Sequence, residues 1–181
     1  LDAATLAVYR EGFERGFGAD GDHLKTAEEV EYALGAGYTM ITLDCSEYIR
    51  NEISGMDDHM VEADCNLPDA LRERYVGRTF HIGMGASISI DEIALKRALL
   101  IYGGAIQFAE SIYKEYIAKS PVKVDLEISI DETATPTLPQ HHFFVANELN
   151  IRQVDIATIA PRFYGEFQKG IDYRGDIRRF E

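Results

Sequence analysis

The chain has 181 residues, enough for one domain or for part of a larger one, and its 46% hydrophobic and 27% charged residues supply ample material for a packed core. Its 18 Lys+Arg stand against 31 Asp+Glu, and the resulting net charge of -13 argues against nucleic acid and against an anionic membrane surface as the main partner. No apolar run approaches the ~20 residues of a membrane span, no secretory signal is visible, and Cys45 and Cys65 form neither a CxxC pair nor a dense framework, so reduced thiols in a cytoplasmic protein are expected.

Leu6, Tyr9 and Phe13 recur at helical spacing and predict a short amphipathic helix over 4–15. Gly18-Ala19-Asp20-Gly21-Asp22-His23-Leu24-Lys25-Thr26 follows, with two carboxylates, an imidazole and an ammonium group in a stretch that reads as a polar strand-to-helix turn. Thr26 and Glu29 form a capping box, Val30, Ala33 and Leu34 give the next helix its apolar face, and Gly35 and Gly37 end it. Residues 38–43 form a β-rich run that stops at the polar Asp44-Cys45-Ser46-Glu47. Over 48–87 the periodicity is weak and Gly and Pro are frequent, which predicts a long insertion or lid within the domain.

Ser89 with Glu92 gives a second capping-box signal, and helical spacing then runs from Ile93 to Ile117, with Gly103-Gly104 placed to bend or divide the helix. Residues 122–131 alternate strictly: Val122, Val124, Leu126, Ile128 and Ile130 are apolar, whereas Lys123, Asp125, Glu127, Ser129 and Asp131 are polar. One face of this strand packs on helices; the other presents a polar column. A Thr/Pro-rich loop over 132–140, a helix over 141–149 and a strand over 155–160 complete the run, followed by Pro161-Arg162-Phe163 and a glycine-bounded segment over 165–170. Strand, polar exit and helix thus recur about four times. The predicted fold is α/β: consecutive β/α units of a barrel-like parallel sheet, possibly an incomplete barrel, with the long insertion after the second strand.

In such a fold the residues just past the strand ends share one face, so groups remote in sequence converge. The exits carry Asp20, Asp22, His23 and Lys25; Asp44 and Ser46; Asp131 and Glu132 above Glu127; and Arg162 with Lys169. Such a set can bind a hard divalent cation through His and carboxylate, move protons with a second carboxylate and hold an anion with Lys or Arg. Ordinary structural roles compete with this reading: His23 as a hydrogen-bonded loop residue, Asp44 as a helix cap, Arg162 as the partner of a neighbouring acid, His141 and His142 as structural residues at a helix start.

The stretch Gly18–Thr26, Thr42-Leu43-Asp44-Cys45-Ser46, Ser129-Ile130-Asp131-Glu132-Thr133, Ile159-Ala160-Pro161-Arg162-Phe163 and the segment from Gly165 to Tyr173 together resemble the tagaturonate epimerase family over nearly the whole chain. The resemblance implies a metal-dependent, barrel-like enzyme that interconverts D-tagaturonate and D-fructuronate at carbon 4. Family chains extend further on both sides, so this chain resembles a central portion. Carried onto this sequence, His23 matches a metal-ligand position, Asp22 an acid/base position and Glu127 the opposite acid/base, with the remaining ligands of the divalent cation expected downstream. The expected substrate contacts are Lys25, Asp44, Glu132, Arg162 and Lys169, with Lys25 or Arg162 on the carboxylate of a small-molecule hexuronate.

Carbon 4 of a 2-keto hexuronate is alpha to neither ketone nor carboxylate, so removing its hydrogen gives a poorly stabilised carbanion. A retro-aldol route avoids this, with a divalent metal acting as Lewis acid on the enediolate. A metal-dependent sugar-acid aldolase and a non-catalytic sugar-acid-binding fragment are the alternatives. The sequence assigns no oligomeric state.

Overall fold

The computed structural model describes residues 1–166 and 170–180. Helix α1 (Asp2–Arg10) leads into β1 (Asp20–Leu24), α2 (Ala27–Gly35) and β2 (Met40–Asp44). Two 3-10 turns at Ser46–Tyr48 and Asn51–Gly55 precede α3 (Asp58–Asp64), α4 (Asp69–Tyr75) and the hairpin β3 (Thr79–Gly83) and β4 (Ala86–Ser89). Helix α5 (Glu92–Glu115), a 3-10 turn at Ile117–Lys119, β5 (Asp125–Ile130), α6 (Pro139–Ile151), β6 (Thr158–Pro161) and α7 (Ile177–Phe180) follow.

The main sheet has the order β1-β2-β5-β6, and every neighbouring pair is parallel. This bears out the α/β reading and a parallel rather than antiparallel setting for the alternating strand. The alternation becomes two faces. Ile41 and Leu43 of β2 and Leu126, Ile128 and Ile130 of β5 are buried in one cluster with Ala98, Tyr102, Ala105 and Ala109 of α5 and Phe144, Val145 and Leu149 of α6. On the opposite face the register sets Thr42 beside Glu127 and Glu127 beside Thr158. The sheet is therefore apolar toward its helices and polar on its other side.

Several local expectations hold and several are corrected. The Thr26/Glu29 capping box is formed. The stretch read as a turn is instead the edge strand β1: Asp20 pairs with Met40 and Gly21 with Ile41, and an added Cβ on Gly21 would lie 3.1 Å from Ile41 and 3.3 Å from Ala33, so a side chain there would require its neighbours between sheet and α2 to give way. Leu6, Tyr9 and Phe13 remain exposed, and α1 ends at Arg10. The cap of α5 is Asp91, whose carboxylate accepts from Ala94 N at 2.8 Å, while Ser89 belongs to β4. Gly103-Gly104 does not divide α5. The glycine serves a close approach instead, since a Cβ on Gly104 would sit 2.8 Å from the Tyr48 carbonyl oxygen.

Residues 48–87 contribute Ile53, Val61, Cys65, Leu67, Leu71 and Tyr75 to the core. A buried ion network fastens them to the β/α units. Glu148 of α6 accepts from Arg74 at 2.5 Å and from the Tyr75 hydroxyl at 2.8 Å, and Arg152 bridges Glu148 to Glu110 of α5. A buried carboxylate needs such partners, because removing its hydration costs several kcal/mol, of order 5. Among the described residues no helix is long and apolar enough to cross a membrane. Cys45 and Cys65 are buried free thiols, and burial pushes Cys45 up to about 12.

Candidate active site

The C-terminal end of the sheet is organised around Asp44, whose side chain is only 2% exposed. Its Oδ1 accepts from Ser46 N at 2.9 Å, an Asx turn that ends β2 and points the carboxylate across to β1. Its Oδ2 lies 3.1 Å from Lys25 Nζ and 3.5 Å from His23 Nδ1. Lys25 is fixed through its backbone, because Glu29 of the capping box accepts from both Lys25 N at 2.7 Å and Thr26 N at 3.1 Å. Burial pushes Asp44 up, but the Ser46 hydrogen bonds and the Lys25 ammonium outweigh it and hold the carboxyl below its usual value. Asp44 in turn raises Lys25.

His23 sits at φ 55, within the irregularity of the β1–β2 pairing between Gly21 and Leu24. A left-handed residue in a bulge re-aims its side chain. The imidazole thereby stands between two carboxylates, with Nε2 3.8 Å from Asp22 Oδ1 and Nδ1 facing Asp44. Glu132, past the end of β5, places Oε2 3.9 Å from Lys25 Nζ.

Glu127 lies one layer below, in the middle of β5 rather than at its exit. Thr158 on β6 donates to Glu127 Oε2, while Thr42 on β2 lies 3.4 Å from Oε1 and 3.0 Å from Asp20 Oδ2 on β1. Four strands thus contribute one polar row, Asp20–Thr42–Glu127–Thr158. Arg162 directly follows β6; its Nη1 donates to Thr133 O at 2.6 Å, and its main chain exchanges two hydrogen bonds with Thr137. With Asp131, Phe163 and Glu166 it lines a cleft of 580 Å³.

The structure therefore brings His23, Lys25, Asp44 and Glu132 together, with Asp22 against the imidazole. It puts Glu127 in a separate row and turns Arg162, just past β6, onto Thr133 of the loop after β5. Lys169 lies outside the described residues. Thr42 and Thr158 were missed as site residues; their signal is the alternation of their strands, which becomes informative only once the register aligns them with Glu127. His141 is a buried helix residue against Tyr102, pushed down to about 4 by burial and by Arg97, and so stays neutral.

A divalent cation needs several converging oxygen or nitrogen donors. Among the described residues no group of three His, Cys, Asp or Glu is placed to hold one, and the Asp44 oxygen nearest His23 already faces an ammonium. The described residues do not by themselves fit a metal centre.

Comparison with known proteins gives a consistent result. A family model described as tagaturonate epimerase matches residues 1–181. The chain is 40% identical over 186 residues to the tagaturonate/fructuronate epimerase of Thermotoga maritima, an alignment that takes in 100% of this chain and 38% of that protein. Crystal structures of fructuronate-tagaturonate epimerase UxaE from Cohnella laeviribosi, native and glycerol-complexed, superpose with a TM-score of 0.94 at 49% identity, over 99% of this chain and 37% of theirs. The chain thus spans well under half the length of these relatives. Every residue of it falls within one family match, and the chain belongs to the tagaturonate epimerase family.

Proposed function

We propose that this chain is part of an enzyme that interconverts D-tagaturonate and D-fructuronate by inverting carbon 4. The observation that carries this reading is the match of all 181 residues to a family described as tagaturonate epimerase. The polar face of the sheet supplies suitable chemistry. Glu127 and Asp22 are the proposed acid/base groups, Lys25 and Arg162 the cations proposed for the hexuronate carboxylate, and Lys169 a further proposed substrate contact. Asp44 and Glu132 hold Lys25 in place and accept from substrate hydroxyls. Four parallel strands laid side by side in chain order, with helices packed on one face, are what one sector of a β/α barrel contains, which supports that architecture for the intact enzyme. The hairpin that closes the 48–87 segment borders the groove beside Arg162 through Ile82 and, just past the segment, Ile88, which supports a lid role. Buried, unpaired thiols favour a reducing, cytoplasmic setting.

In the proposed reaction a carboxylate takes the proton of the carbon-4 hydroxyl. The bond between carbons 3 and 4 breaks, its electron pair passing to the carbon-2 carbonyl as an enediolate while carbon 4 becomes an aldehyde. The aldehyde turns, carbon 3 attacks its other face, and the new alkoxide takes a proton from the opposite acid. A divalent cation is proposed as cofactor, with His23 as the ligand this chain would contribute and Lewis acidity toward the enediolate as the chemistry it would supply.

Incubating the protein with D-tagaturonate in heavy water tests the scheme. Fructuronate that keeps its original carbon-4 hydrogen is expected. Deuterium at carbon 4 contradicts the bond-breaking route, separate fragments favour an aldolase, and binding without conversion favours a sugar-acid-binding piece.

A further inference from the structure

Glu127 is held in an unequal way. Its two carboxylate oxygens face threonine hydroxyls on the two flanking strands, at the directly opposed register positions 42 and 158. A threonine hydroxyl has one proton to give. Thr158 gives its proton to Oε2. Thr42 has two acceptors, and its 3.0 Å contact is to Asp20, against 3.4 Å to Glu127 Oε1. The proton of Thr42 therefore goes to Asp20, and Glu127 Oε1 is left without a committed donor on the polar face of the sheet.

We propose that Thr158 is a positioning residue for Glu127, anchoring one carboxylate oxygen so that Oε1 becomes the atom that exchanges a proton with substrate, while Asp20 keeps Thr42 from capping that atom. The proposal rests on Glu127 acting as an acid/base. It explains why a mid-strand glutamate has hydroxyls on both sides instead of the cation that an ordinary cross-strand pair offers a carboxylate. A side chain fixed at one oxygen presents the other in a defined direction, and proton transfer depends on such hydrogen-bond reach.

The test is steady-state kinetics of tagaturonate conversion by T158V, T158S, T42V and E127Q in a chain of the relatives' full length. Thr158 is exposed, so T158V is expected to fold, and thermal melting checks it; T158A serves as a second hydroxyl-free variant. Loss of one hydrogen bond to a charged group predicts a fall in kcat of about ten- to a hundredfold with KM little changed, and recovery of most of the rate in T158S. T42V is expected to lower kcat less than T158V. Wild-type kcat in T158V and T158A beside an inactive E127Q overturns the positioning role alone, as does a larger loss in T42V than in T158V. An active E127Q removes the acid/base reading of Glu127 and this proposal with it.

Discussion

Asp44 shows how a single buried charge organises the strand end. A carboxylate 2% exposed is tolerated only where its partners outweigh desolvation, and Ser46 and Lys25 do so here. The two shifts have opposite signs and define a window. Asp44, lowered on folding, contributes stability that is present above its unfolded pKa and is lost as pH falls through the folded one. Lys25, raised on folding, contributes stability that is present below its unfolded pKa and is lost as pH rises through the folded one. The pair is thus intact across neutral pH. Replacing Lys25→Met is expected to lower the melting temperature at neutral pH, and the gap from the native protein should close as acid protonates Asp44. Melting curves across that range check it; a gap that stays constant into acid would mean that the Lys25 charge is not what Asp44 depends on.

At the level of elements, Gly104 in α5 offers a test whose sign is informative. In an exposed helix Gly→Ala stabilises by about 1 kcal/mol, because alanine loses less backbone entropy. Here the added methyl would meet the Tyr48 carbonyl oxygen at 2.8 Å, so Gly104→Ala is expected to destabilise by about 1–3 kcal/mol in urea unfolding. A more stable variant would show that the 3-10 turn at Ser46–Tyr48 yields freely. Helix α2 and strand β5 were legible in the sequence because a capping box and a period of two are local signals that survive folding. Strand β1 was not, because Asp20-Gly21-Asp22-His23 carries turn chemistry, and what makes it a strand is pairing with β2. The same limit applies to the site. Glu127 stands out on an alternating strand, and His23 and Lys25 stand out as charges before a cap. The partnership of Glu127 with Thr42 and Thr158 exists only through register, and the Lys25–Asp44 contact only through the sheet.

For the whole molecule, a net charge of -13 would repel the anionic hexuronate proposed as substrate unless cations face it locally. Among the described residues, Lys25 and Arg162 follow the ends of β1 and β6 and so bring positive charge to one end of the sheet. The helices bury one face of the four strands, and the other is left polar with Glu127 near its centre, an arrangement suited to a site rather than to a second core. The family match motivates the proposed reaction, and the polar row of the sheet motivates the choice of Glu127 as its acid/base. The most direct measurement is therefore conversion of D-tagaturonate to D-fructuronate by the native protein beside Glu127→Gln. Conversion by the native protein and loss of about 100-fold or more in the variant, with its melting temperature unchanged, is the predicted result for a lost acid/base group. Native-like turnover by Glu127→Gln would contradict it.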